Sequence, residues 1–280
     1  MALFKSVSVT NPKGAELVME LDKPELSGFA ITNVEGVSPE ESTVNITELA
    51  TVDGGVFNTA RKSVRDITIT MAMYKPNVGN LSVEELRHKL YEYFPIKKKV
   101  TLKFTTTDRV LYAECYVESN SVIVFTDMEY TQITLRHPNV WFEGEYETQI
   151  ITGSGSTNLV YDGDTTGYLL ATYEITTLSG VTGQNLIIAN TTTSEIMKID
   201  LGKVATYSGL TLAVGDEISI STKPGNKSIY LIRGAAEYVV LGALAHGESS
   251  WITTINGTNT LTVNLSGKTT LTTRNLYEGV

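Results

Sequence analysis

One cysteine, three histidines and two tryptophans in 280 residues leave little of the usual equipment of an active site. The lone thiol, Cys115, cannot form an intramolecular disulfide. Inside the apolar run Val110-Leu-Tyr-Ala-Glu-Cys-Tyr-Val117 it reads as a small buried hydrophobe. No histidine neighbours it in sequence, so nothing marks an activated thiolate. His88, His137 and His246 fall in different predicted elements without H-x-x-H or H-E-x-x-H spacing, and no metal site is expected. The nucleophile elbow G-x-S-x-G and the phosphate-cradling G-x-x-x-x-G-K-[ST] are both missing. No catalytic residue and no cofactor is expected, and the chain reads as a non-enzyme. No apolar run reaches the roughly 18 residues a membrane-crossing helix needs. The opening residues carry no basic-then-apolar leader, and Val7 and Val9 alternate as in a strand, so export by a signal peptide is not expected.

Positive charge is also scarce: 22 Lys and Arg against 31 Asp and Glu give a formal net charge of −9. A general nucleic-acid binder needs a basic face to displace counterions from phosphate, so that class is disfavoured. An acidic wall remains compatible with DNA sliding past without sticking.

What is present divides near residue 150. Residues 1–148 carry 15 Lys and Arg with 21 Asp and Glu; the rest carry 7 and 10, and threonine becomes dominant. The Gly- and Ser-containing stretch 149–158 offers no apolar face and reads as a linker. Two domains are therefore expected, 1–148 and 159–280.

The first shows one strong helix signal. Ser82-Val-Glu-Glu85 is a capping box, and Val83, Leu86, Leu90 and Phe94 follow on one helical face until Pro95 stops the helix. Around it, Ile67, Ile69, Met71 and Met73 alternate with polar residues, as do Val100, Leu102 and Phe104; the segments around Cys115 and Val122-Ile-Val-Phe125 read as further strands. The fold class is mostly β, a β-rich α+β chain whose first domain is an antiparallel sheet packed with one helix. The second domain shows only strand signals, at 217–221, 228–232 and 259–264, with turns at Pro224-Gly-Asn226 and Asn256-Gly257. A β-sandwich is expected there.

Three further patterns invite a chemical reading. Asp162-Gly-Asp164-Thr-Thr-Gly167 starts like a calcium loop, but Tyr173 stands where the twelfth-position carboxylate belongs, so it reads as a turn. Lys97-Lys-Lys99 could meet phosphate, yet at a helix-to-strand junction it reads as a solvated loop. Tyr161, Tyr168, Tyr173, Tyr207, Tyr230, Tyr238 and Trp251 could stack on sugar; for the tyrosines half-burial at strand edges is the simpler reading. Trp251 is the candidate glycan contact.

Function enters through a resemblance. Phe29-Ala-Ile-Thr-Asn-Val-Glu-Gly-Val-Ser-Pro39, Asp53-Gly-Gly-Val-Phe-Asn58, Arg61 and Arg65-Asp-Ile67 resemble the distal tail protein (Dit) family of long-tailed phages. In the same order follow Leu86–Pro95, Val100–Phe104, Tyr116–Asn120 and His137-Pro-Asn-Val-Trp-Phe142, where the family usually has Cys-Pro in place of His137-Pro138. Gly215–Ile229 and Leu276-Tyr-Glu-Gly279 extend the likeness to nearly the whole chain. The resemblance implies a virion structural protein at the tail tip, a ring homo-oligomer, commonly a hexamer. Its first domain would form the ring joining tail tube protein to the baseplate, and its second, a galectin- or carbohydrate-binding-module-like sandwich, would dock tip and receptor-binding proteins. Phage DNA would pass through the lumen without specific binding, and no membrane insertion is implied. The alternative is a carbohydrate-binding adhesion module that contacts host glycan.

Overall fold

The computed structural model describes residues 4–49, 53–73, 81–123, 130–181 and 183–280. The chain divides into two compact units, one of Met1–Gly144 with Tyr277–Val280 and the other of Glu145–Leu276. In chain order the second unit is thus inserted into the first.

The first unit begins with β1 (Phe4–Thr10), β2 (Glu16–Glu20) and the single turn α1 (Pro24–Ser27). There follow β3 (Phe29–Glu35), β4 (Ser42–Glu48), β5 (Gly55–Lys62) and β6 (Arg65–Met73). Helix α2 (Val83–Tyr93) precedes β7 (Lys99–Thr106), β8 (Val110–Ile123), β9 (Tyr130–His137) and β10 (Phe142–Thr152), which passes into the second unit after Gly144. Among the described residues of this unit the strand pairings are antiparallel. The long strand β8 is shared: Val110–Tyr116 pairs with β7, and Tyr116–Ile123 pairs with β9. A register shift between Val117 and Ser119 lets one strand change partners, as β-bulges do where a sheet bends. One side continues β7 to β1 to β2, and the other continues β9 to β6 to β3.

Their inward faces bury Val7, Val9, Ile67, Ile69, Leu102, Phe104, Cys115 and Leu135, with Leu86 and Leu90 of α2 and its C-cap Phe94 in the same cluster. The capping box is complete: Ser82 Oγ accepts from the Glu85 amide, and the Glu85 carboxylate accepts from the Ser82 amide. The strand expected over Val122–Phe125 is described as far as Ile123; Val124 and Phe125 lie outside the described residues.

The second unit contains β11 (Gly155–Tyr161), β12 (Gly167–Glu174), β13 (Asn185–Asn190), β14 (Glu195–Asp200) and α3 (Leu201–Ser208). After α3 come β15 (Glu217–Ser221), β16 (Ser228–Arg233), β17 (Ala236–Val239), the short β18 (Thr253–Thr254), β19 (Gly257–Val263) and β20 (Lys268–Tyr277). One sheet orders β17-β16-β15-β12-β20 and the other β11-β19-β13-β14. Between them lies a core of Leu169, Ile188, Ile199, Ile218, Leu231, Leu261 and Leu271, among others. The turn at Pro224-Gly225-Asn226 joins β15 to β16, with Gly225 at φ 79°, a left-handed conformation that side-chain-bearing residues rarely adopt.

Two features differ from the sequence reading. Residues 149–158, expected as a linker, run in β10 and β11 with a turn at Gly153, and Ile151 and Leu159 are core residues. The second unit is also not all strand. The Asp200 side chain caps α3 by accepting from the Lys203 amide, and Gly209 ends the helix at φ 69°.

Candidate assembly surface

Among the described residues no group of three or more His, Cys, Asp or Glu side chains could hold a metal. His88 and His246 are exposed, whereas His137 is buried in the first unit. Its Nδ1 lies 2.7 Å from the Glu114 carbonyl and its Nε2 3.1 Å from the Trp141 carbonyl, and its ring stacks near Phe142. Cys115 is fully buried, and that burial, aided by the Glu114 charge, pushes its thiol up to about 12. It is a packing residue. Lys97–Lys99 are exposed, and Lys99 pairs with Glu114 across the β7–β8 ladder at 3.1 Å.

The Asp162–Gly167 loop is built around an aromatic ring. Tyr161 Oη donates to the Thr165 carbonyl at 2.8 Å, and the ring lies where side chains at Gly163 and Gly167 would collide with it. The Asp162 and Asp164 amides donate to Asn275 Oδ1 and the Leu276 carbonyl, so the loop is tied down as a turn. Tyr161, Tyr168 and Tyr173 are buried, which removes them as sugar platforms. Trp251, the candidate glycan contact, is half-buried: it packs against the core of the second unit, and Lys227 Nζ sits 5.2 Å from its ring centroid.

The surface that stands out is an arm. Among the described residues strands β4 and β5 pair only with each other, forming a two-stranded sheet in which every residue but Lys62 is exposed. Their register, with a shift between Asn45 and Ile46, places Val44 opposite Ala60 and Ile46 opposite Phe57. These four share one face; Thr43, Asn45, Thr59 and Arg61 share the other. Val44, Ile46 and Phe57 are 50%, 55% and 62% exposed, values proper to polar side chains. A lone hairpin is marginal in water. An amphipathic arm with a bare apolar face has the character of a surface that another molecule covers.

The root of this arm is as tightly held as its length is bare. Arg65, the first residue of β6, is fully buried. Its Nη1 donates to the Gly36 and Ser38 carbonyls at 2.8 and 2.7 Å, and its Nη2 donates to those of Val140 and Glu278 at 3.0 and 2.7 Å. The guanidinium carbon lies 4.5 Å from the Phe142 ring centroid, and Glu40 Oε1 is 3.7 Å from Nε. Burial draws the pKa of the guanidinium down, with Glu40 and Glu278 opposing it. The sequence marks Arg65 only through the family likeness, because main-chain carbonyls leave no residue signature.

No protein-family model and no curated protein sequence matches the chain. Solved structures do. The chain is similar to the Dit protein of phage SPP1, described as a paradigm of the hub adsorption apparatus in phages that infect Gram-positive bacteria. The two are 14% identical with a TM-score of 0.67, over 96% of this chain and 98% of that one. It is also similar to a chain of the phage P2 baseplate in its activated conformation with calcium. There the identity is 13% and the TM-score 0.58, over 98% of this chain and 99% of that one. Along nearly its whole length, then, this mostly β chain has the fold of a phage Dit hub protein, the family its sequence resembles.

Proposed function

We propose that the chain is a structural subunit of a phage tail tip, a distal tail hub whose copies close into a hexameric ring between the tail tube and the baseplate or receptor-binding apparatus. The observation that carries this reading is the end-to-end fold match to the SPP1 hub protein, which spans both units rather than one common sandwich. The arm supports it. In a ring, the apolar face of β4–β5 is the surface a neighbouring copy would cover, and closed symmetry disposes of bare strand edges. The net charge of −9 suits a conduit that lets DNA pass unbound. In this reading the protein resides in the virion and performs no catalysis, and its second unit docks other tip proteins.

Averaged electron-microscope images of the purified chain test it. Closed six-fold rings with a central channel are expected. Open filaments, or compact particles without a channel, would speak against the hub.

A further inference from the structure

We propose that Arg65 and the strap Tyr277–Val280 form a clasp that fixes the direction of the β4–β5 arm, so that releasing the strap frees the arm at its root. Three contacts place the strap there. The Glu278 carbonyl accepts from Arg65 at 2.7 Å, the Glu278 carboxylate pairs with Lys62 at 2.7 Å, and the Val280 amide donates to the Val37 carbonyl at 2.9 Å. Lys62 is the last residue of β5, and Val37 lies in the segment joining β3 to β4. The strap therefore touches both legs of the arm where they leave the unit.

Arg65 fastens the same leg again through Gly36 and Ser38. The path leaves little slack: a β-carbon at Gly36 would strike the Asp66 carbonyl, and one at Gly279 would press on Pro39 and the Val37 carbonyl. Tyr277 anchors the strap, since it is buried in the core of the first unit beneath the Arg109 guanidinium. Beyond this root, the arm pairs with no other strand among the described residues. Its orientation is accordingly set at the clasp, and residues more than two hundred positions away in sequence set it.

The clasp is a property of a single subunit, so its test needs no assembly. Nitroxide labels at Glu48→Cys, at the far end of β4, and Glu92→Cys, on α2, report the arm's position through their distance distribution. The buried Cys115 stays unlabelled. A narrow distribution is expected for the parent, and removal of residues 278–280 should roughly double its width as the root loosens. Should that truncation fail to fold, the pair Lys62→Ala with Glu278→Ala, which keeps every main-chain acceptor, is expected to broaden it in the same direction. A width unchanged in every folded variant would overturn the clasp.

Discussion

The Arg65 guanidinium and the Glu278 carbonyl meet at 2.7 Å across 213 positions of sequence. The contact closes the first unit on itself after the chain has built the second. A buried guanidinium is costly unless it is hydrogen-bonded and paired; here four carbonyls accept from Nη1 and Nη2, while Nε makes no hydrogen bond and has only the Glu40 carboxylate 3.7 Å away. Replacing Arg65 with Met removes those four hydrogen bonds from the interior. The expected loss is about 3–5 kcal/mol, read as a lower denaturant midpoint. Lysine is no substitute, because an ammonium cannot span the fork of acceptors. A loss below about 1 kcal/mol for Arg65→Met would refute the keystone role.

The arm gives a prediction that separates folding from assembly. Ile46 and Phe57 are 55% and 62% exposed, so Ile46→Asp and Phe57→Asp should shift the stability of the isolated chain by no more than about 0.5 kcal/mol. Assembly should nonetheless fail, because a carboxylate would be buried against the neighbouring copy. Sedimentation of parent and variants checks this; rings that form equally well from the double variant would remove the arm from the interface.

The second unit holds a pH-sensitive pair. Arg233 Nε and Nη2 grip the buried Asp216 carboxylate at 2.7 Å each, and Asp216 also accepts from the Ala213 amide at 2.8 Å. The Arg233 hydrogen bonds are the main reason the carboxyl is held below its usual range. Its folded pKa lies under the unfolded value of about 3.9, so this stabilisation is complete above that pH and is lost as pH falls through the folded value. Asp216→Asn should cost about 2 kcal/mol at neutral pH and shrink towards no difference in strong acid. A cost that stays constant across an acid titration of unfolding would contradict the assignment.

Cys115 should be silent. With its thiol pushed up to about 12 and no surface exposed, a thiol reagent at neutral pH is expected to react only after denaturant unfolds the chain. Prompt labelling of the native protein would show that the core of the first unit opens.

Trp251 separates packing from sugar contact in the second unit. Because its ring leans on the core and lies beneath Lys227, Trp251→Ala is expected to cost roughly 2 kcal/mol of stability. Retention on cell-wall polysaccharide that disappears in the variant, with the melting temperature unchanged, would instead make this ring a glycan platform.

What the sequence disclosed was local. Ser82 and Glu85 announce α2, and the spacing of Leu86, Leu90 and Phe94 gives its buried face, because capping and periodicity act within a few residues. The alternation of Val100, Leu102 and Phe104 likewise declares a half-buried strand. Helix α3 was hidden: it has eight residues, and Val204 and Thr206 are β-branched, so the cap at Asp200 and the stop at Gly209 went unread among the threonines. The passage of β8 from β7 to β9 goes through a bulge at Val117–Ser119 that no residue type enforces. The arm is the least legible, since no local signal tells Val44, Ile46, Val56 and Phe57 from apolar residues bound for a core, and the tertiary structure leaves them bare. Arg65 appeared as part of a family pattern, but its acceptors at 36, 38, 140 and 278 are backbone atoms that sequence cannot mark.

Native mass by light scattering across a concentration series bears most directly on the hub. A species of about six times 30.5 kDa, favoured as concentration rises and lost in the Ile46→Asp, Phe57→Asp variant, is the expected result. A strict monomer at every concentration, indistinguishable from that variant, would contradict a self-assembling ring.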